Sequence, residues 1–276
     1  MNVRAIVASP LGFLIGLSLG ALGGGGSILA VPALVYGAGQ SPKAATTTSL
    51  ILVAITSLIG IVPHLRAGRV RVMAGTLFGL AGIGGSLLGS HWNQSVDSDV
   101  LLLAFSVLML IAAFAMCQRT CDILRRRSGT PNHTGTAPSV STRTSVRADA
   151  STIAKVLAAG TVVGLLTGFF GVGGGFVIVP ALVLVLGFTM PEAVGTSLLI
   201  ITINSVVALA TRLQAGAIEW DVVMPFTIAS LGGVIVGSRL AGSSDSGVLQ
   251  RWFVGLMVVI AIYTGIRSGI AIVQSS

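Results

Sequence analysis

Charged residues are absent from long stretches of this chain. None falls within residues 5–42, 44–65, 72–96, 100–118, 156–191, 193–211, 222–238 or 252–266. An apolar helix needs roughly 20 residues to cross about 30 Å of hydrocarbon. Most of these stretches reach or approach that length, and the last two are extended by flanking apolar segments such as 270–273. The pattern predicts an all-α polytopic membrane protein with about eight transmembrane segments.

The first stretch does not fit a single span. As one helix, residues 5–42 would run about 57 Å at 1.5 Å per residue. Gly23, Gly24, Gly25 and Gly26 stand in a row within it, and each glycine costs a helix about 1 kcal/mol relative to alanine. Pro32, and Pro180 in the corresponding later stretch, each remove a backbone donor. A broken or re-entrant element is expected, with pieces over 10–22 and 27–37. A second such element is expected over 153–170 and 176–187.

These two elements belong to an internal repeat. Residues 16–90 and 164–238 align at a constant offset of 148 without a gap, and 27 of the 75 positions are identical. The glycine run matches Gly171-Val172-Gly173-Gly174, both copies continue into Val-Pro-Ala-Leu-Val, and Thr48-Ser49-Leu50 matches Thr196-Ser197-Leu198. The expected organisation is two homologous halves, 1–118 and 151–276, with the first segment of each broken at glycine. They are joined by a basic linker, 119–150. A duplicated apolar unit with helix-breaking glycines points to a transporter with its site between the halves.

Composition narrows the classes. The chain is 53% hydrophobic and 9% charged, against about 25% charged in soluble domains, so it cannot cover a water-facing surface. Its mean hydropathy is +0.96. A secretory signal would end in a short apolar core and a cleavage site, whereas here the apolar run continues into a repeated motif. The linker carries Arg119, Arg125, Arg126, Arg127, Arg143 and Arg147 among Ser, Thr, Gly and Pro, a composition that stays disordered. It reads as a topology signal rather than a nucleic-acid or lipid site, and places the linker in the cytoplasm, as in a multi-pass protein of a bacterial-type inner membrane. Arg66, Arg69 and Arg71 follow the second apolar stretch, whereas His91, Asp97 and Asp99 follow the third. Four spans per half would put both termini and the linker inside, making the repeats parallel. A re-entrant first element would make the crossings odd and the repeats inverted. The residues leave both open.

The candidate chemistry is anion binding. Unwound backbone is tolerated in a membrane only against protein or a water-filled cavity. A helix restarting after a break, at Ser27 or Phe176, offers free amides and a positive dipole end, which bind anions without a buried cation. Gly23, Gly24, Gly25, Gly26, Gly171, Gly173, Gly174 and Gly175 are therefore candidate substrate-binding backbone. Thr48, Ser49, Thr196 and Ser197 would add hydroxyls, and Asn204 a deeper donor. The competing structural readings are close helix packing by small residues and hydroxyls bonded back to their own helix. Arg66 and Arg212 follow the second span of their halves without aligning, each an interfacial anchor or a cation that draws the anion to a vestibule; His64 aligns with Arg212 and could relay a proton.

No Asp or Glu falls inside a stretch, Glu192 standing at an edge, which argues against a cation pump. No paired acids, metal motif or nucleophile with a base points to an enzyme. Cys117 and Cys121 alone do not make a metal site, and no cofactor is implied. The expected partners are a small anion, the lipid bilayer and a second copy of the chain in a homodimer, with no nucleic acid. An ion channel and a non-transporting scaffold docking through its linker are the alternative functions.

Together these residues resemble the sulfite exporter TauE/SafE family of membrane permeases. The resemblance rests on Gly171, Gly173, Gly174, Gly175, residues 179–182 and 195–198, Gly216 and Ile218. In the first half it rests on Gly23 to Gly26, residues 31–34 and 48–50, Gly68 and Val70, departing at Ser27 and Thr47. It implies secondary transport of a small sulfur-containing anion such as sulfite, thiosulfate or an organosulfonate.

Overall fold

The computed structural model describes residues 3–24, 26, 30, 33–34, 39–40, 42–93, 98–128, 150–170, 175–212, 220–243 and 245–275. Every regular element among them is helical. In chain order the helices are α1 (Val3–Leu22), α2 (Pro42–Arg66), α3 (Val72–Asn93), α4 (Ser98–Ser128), α5 (Ala150–Phe170), α6 (Gly175–Leu184), α7 (Met190–Arg212), α8 (Trp220–Ser243) and α9 (Ser246–Ser275). Six contain apolar segments long enough to cross a membrane, in α2, α3, α5, α7, α8 and α9. Shorter apolar segments lie in α1, α4 and α6. The fifth charge-free stretch holds two helices, α5 and α6, the two pieces expected of it. Pro180 sits inside α6 without ending it; Pro32 lies outside the described residues. The basic segment begins as helix, because α4 runs on to Ser128, and its remainder, 129–149, is likewise outside them.

The bundle is arranged for hydrocarbon rather than water. Leu87, Phe114 and Trp252 are 66%, 65% and 72% exposed, an outward apolar surface that lipid would cover. Thr48, Thr56, Ser57, Thr196, Ser197, Ser230 and Ser238 are buried alongside Phe78, Phe176, Phe226 and Phe253. Five of these hydroxyls, those of Thr56, Ser57, Ser197, Ser230 and Ser238, escape the cost of unpaired burial by bonding to backbone carbonyls, as Thr56 does to Leu52 at 2.6 Å and Ser197 to Val194 at 2.8 Å. Phe105 of α4 meets Phe176 of α6 edge-on, with ring centroids 4.8 Å apart, the geometry aromatic quadrupoles favour.

The most extensive contacts join α1 to α8 and α3 to α5. Both pairs are glycine faces. A Cβ on Gly12 would meet the Phe226 carbonyl at 2.8 Å, and Cβ atoms on Gly16 and Gly20 would overlap the backbone of Ser230 and Val234. In return, Gly233 and Gly237 lie against the backbone of Phe13 and Leu17. The same contacts recur 148 residues on: Gly160 against Phe78, Gly164 against Gly82, Gly168 against Ser86, and Gly85 and Gly89 against Thr161 and Leu165. Spacing by four puts each triplet on one helix face. Without side chains the backbones pack closely, which supplies the dispersion energy that burial cannot provide in lipid. The Ser230 hydroxyl adds an interhelical bond to the Gly12 carbonyl at 2.8 Å.

Contact order along the helices gives their directions. Ser57 meets Thr202, Gly60 meets Leu198, and His64 meets Gly195, so α2 and α7 are antiparallel. Ser106 lies by Gly265 and Met116 by Gln250, so α4 and α9 are antiparallel too. Numbers rise together between α1 and α8, α3 and α5, and α3 and α7. The C-terminal end of α1 thus lies beside the end of α2 and the start of α7, while α5 runs the opposite way. The start of α1 and the end of α9 therefore lie across the bundle from the end of α4 and the start of α5.

Helix ends also repeat. Gly39 and Gly187 have φ of 66° and 71°, conformations cheap only for glycine. Around them Gln40 N–H donates to Leu34 O and Phe188 N–H to Leu182 O, each at 3.1 Å. Each bond spans six residues, one more than the usual Schellman closure of a helix end.

Gly16→Ala is expected to lower stability by about 1–3 kcal/mol by overpacking α1 on α8. Gly84→Ala, where nothing lies within 4 Å, should be neutral or gain up to about 1 kcal/mol from propensity. Thermal unfolding in detergent reads both, and equal midpoints would contradict the glycine-face packing.

Candidate functional site

The first glycine break turns at Gly23, whose φ is 69°, a left-handed value that excludes most side chains without strain. Two contacts make the turn a junction. A Cβ on Gly23 would strike the Ser197 hydroxyl and approach Val194 Cα at 3.3 Å, both on the first turns of α7. A Cβ on Gly24 would overlap the Gly175 peptide, its carbonyl foremost, at the start of α6. The break in one copy therefore touches the restart of the helix in the other. Gly26 folds back on α1, where a Cβ would sit 2.6 Å from both the Ile15 carbonyl and the Leu19 nitrogen.

Gly23, Gly24, Gly175 and Ser197 are thus brought together. Gly25, Gly171, Gly173 and Gly174 lie outside the described residues. The first-turn amides of α6 have no partner within that helix and point back along its axis toward Gly174. Ser197 is fully buried and donates to Val194 O; exchanging such a bond for one to an anion alters its energy by only about 1 kcal/mol.

The other expected residues are dispersed. Thr196 faces away from the junction and accepts a bond from the Arg71 amide at 3.1 Å, which leaves its own hydroxyl free to donate. Thr48 and Ser49 are buried in the second turn of α2. The contact of Gly60 with Leu198 puts Ser197 level with the end of α2, about 18 Å along the helix from Ser49 at 1.5 Å per residue. Thr48 and Ser49 therefore lie away from the junction that Ser197 joins. Asn204 is half-buried against Gly82, and its side-chain oxygen has no hydrogen-bond partner. Gly75 and Gly79 pack on Leu199 and Ile203 of α7, the structural role small residues commonly take in membranes.

Two charged residues that sequence reasoning left at the margin join the elements. Arg71, between α2 and α3, pairs with Glu192 of α7 at 2.7 Å. The second Glu192 oxygen accepts from the Thr189 amide at 3.2 Å and hydroxyl at 3.0 Å. Thr189-x-x-Glu192 is a capping box, a spacing that could have flagged the residue beforehand. Arg69 donates to the Gly242 carbonyl at the end of α8, at 3.3 Å. Among the described residues no cluster of His, Cys, Asp and Glu could hold a metal ion.

A family model described as sulfite exporter TauE/SafE matches residues 8–264. The chain belongs to the sulfite exporter TauE/SafE family. It is also 32% identical to a "Probable membrane transporter protein" of Xylella fastidiosa (strain 9a5c), over 99% of this chain and all of the relative. A Bacillus subtilis (strain 168) relative, "Probable membrane transporter protein YunE", is 25% identical over 95% of this chain and 94% of its own. A Methanocaldococcus jannaschii protein of the same description, MJ0441, matches over 38% of this chain at 33% identity. No solved structure matches. Apolar helices and family membership together make this a multi-pass membrane protein of a transporter family, with the matched region covering both glycine junctions.

Glu192→Ala should destabilise more than Arg71→Ala, by about 1 kcal/mol, because it removes the helix cap as well as the ion pair. Arg71→Ala keeps the amide that Thr196 accepts, and a half-exposed ion pair contributes at most about 1 kcal/mol. Unfolding midpoints of the two variants decide, and the reverse order would remove the capping role.

Proposed function

We propose that this chain is a secondary transporter of a small, sulfur-containing anion, such as sulfite, thiosulfate or an organosulfonate, moved by alternating access between two inverted repeats. The observation that carries the reading is the contact of Gly24 with Gly175, beside Gly23 and Ser197. Two interrupted helices meet where backbone amides, a hydroxyl and a dipole end can replace an anion's hydration without a fixed buried cation.

Inversion is supported by helix direction. Equivalent helices α2 and α7, and α4 and α9, run antiparallel, as an axis in the membrane plane requires. The orientation follows from charge. The ends of α2, α4 and α8 share one face, together with the linker. On it fall twelve of the sixteen Lys and Arg residues, leaving Arg4, Lys43, Arg212 and Arg267 for the other face. That asymmetry supports a cytoplasmic linker, with both termini across the inner membrane from it.

Alternating access is supported by an unequal pair of faces. On the linker face, Arg71–Glu192 and Arg69–Gly242 tie the α2–α3 connection to α7 and α8. The residues 148 away from Arg71 and Glu192 are Glu219 and Ala44, so the opposite face cannot form the same latch. Among the described residues these polar ties are a half-exposed ion pair and single hydrogen bonds, which release at a cost of a few kcal/mol, within the range separating two populated states.

In proteoliposomes, Ser197→Ala should lower thiosulfate or sulfite flux about tenfold, equivalent to ~1.4 kcal/mol, and Gly24→Leu should abolish it. Flux equal to the parent's in both would exclude the junction as the site. After replacement of Cys117 and Cys121, cysteines at Ser139 and Ser276 should react with impermeant thiol reagents from opposite sides of the membrane. Labelling from one side would exclude the inverted arrangement.

A further inference from the structure

His64 lies in the last turn of α2 and is 1% exposed. The Gly20 carbonyl of α1 lies beside its ring, yet neither ring nitrogen makes a well-aligned hydrogen bond to any described residue. A neutral imidazole carries one donor and one acceptor. Leaving such groups buried and unsatisfied is unfavourable, and an aliphatic side chain would fill the space without that penalty. An imidazole kept unpaired in this place is explained by something that binds it.

Its surroundings say what. The His64 Cβ lies 3.1 Å from where a Gly195 Cβ would be, filling the space that glycine leaves. The Gly20 carbonyl beside its ring is three residues from Gly23, so His64 stands about one turn from the Gly23–Ser197 contact. From α1, segment 10–22 presents no titratable group. From α7 the charged residue is Glu192, paired with Arg71. The connection after α2 brings Arg69, which donates to Gly242. On α8, which meets α2 at Val234, the charged residue at this end is Arg239, itself partnered. An imidazolium here would be beside Arg69, with Glu192 already paired with Arg71. The counter-ion it lacks within the described protein is an anion. The residue 148 further on is Arg212, so a permanent cation occupies the corresponding position of the other copy.

We propose that His64 is an anion ligand at the linker-facing side of the site, and that it takes up a proton together with the anion. This rests on the anion-transport reading above. When the anion enters, a proton moves from water onto the free ring nitrogen. The imidazolium donates to the anion, and the proton leaves again when the anion is released.

The test uses the full-length protein in detergent. The probes are thiosulfate and methanesulfonate, which keep their charge across the range, whereas sulfite titrates near neutrality. Affinity is measured calorimetrically from about pH 8 to about pH 5, where a histidine changes charge. The parent should bind about tenfold more tightly at the acid end, the effect of one pKa unit of coupling. His64→Gln should bind weakly at both ends, and His64→Arg tightly at both. A parent profile that is flat, or a His64→Gln profile as steep as the parent's, overturns the inference while leaving anion transport standing. Failure of the parent to bind either anion at any pH would instead remove the anion-transport reading itself. If His64→Gln does not fold, the parent profile decides alone.

Discussion

Close approach of bare backbone is the constraint on which the rest of this structure depends. In lipid, burying apolar side chains between helices gains little over leaving them in hydrocarbon. Association must come from dense packing and from polar bonds across the interface. Gly12, Gly16 and Gly20, with Gly233 and Gly237 opposite, bring α1 and α8 to backbone contact, and Gly160, Gly164 and Gly168 do the same for α5 and α3. These interfaces hold the first helix of each copy in place, and so fix where each break falls. The junction of Gly24 with Gly175 is a product of that placement.

The junction and the packing faces use the same residue for different reasons. At Gly16 or Gly164 the backbone is ordinary helix, and only space is at issue. At Gly23 the backbone itself has turned left-handed, and the absent side chain also leaves room for Ser197. Replacing Gly16 perturbs an interface between helices that are otherwise complete. Replacing Gly23 changes the path of the chain and the neighbour of a buried hydroxyl together. That double requirement sets the break apart from the glycines around it.

Much of the fold was legible because its signals are local. Gaps in charge marked the apolar segments, and the glycine run marked the end of α1 at Leu22. The start of α6 at Gly175 falls one residue before the expected Phe176. Helix direction was not legible. Loop charges and the broken element favoured different crossing parities, and only contacts such as Ser57 with Thr202, 145 residues apart, decide between them. The glycines facing across α1 and α8 are spaced by four within each helix, but nothing in that spacing names the partner. The candidate residues were partly legible. Repetition singled out Gly23, Gly24, Gly175 and Ser197, which the fold brings together. It also singled out Thr196, whose hydroxyl is turned to Arg71, because residues adjacent on a helix face different neighbours. His64 and Glu192 do not repeat, and a reading built on repetition gave them little weight.

The crossed packing of α1 on α8 and of α5 on α3 has a consequence for assembly. The face that receives α1 lies more than two hundred residues later in the chain, so α1 leaves the ribosome long before its seat exists. Contacts this distant in sequence form late and slow the search for the native state. Neither copy can complete its own fold, since each lacks the helix that covers its first element. The ordering event is then the closing of one copy onto the other through the basic linker. Until it occurs, the glycine faces of α1 and α5 remain open in the bilayer, able to take a helix from another molecule in place of their own.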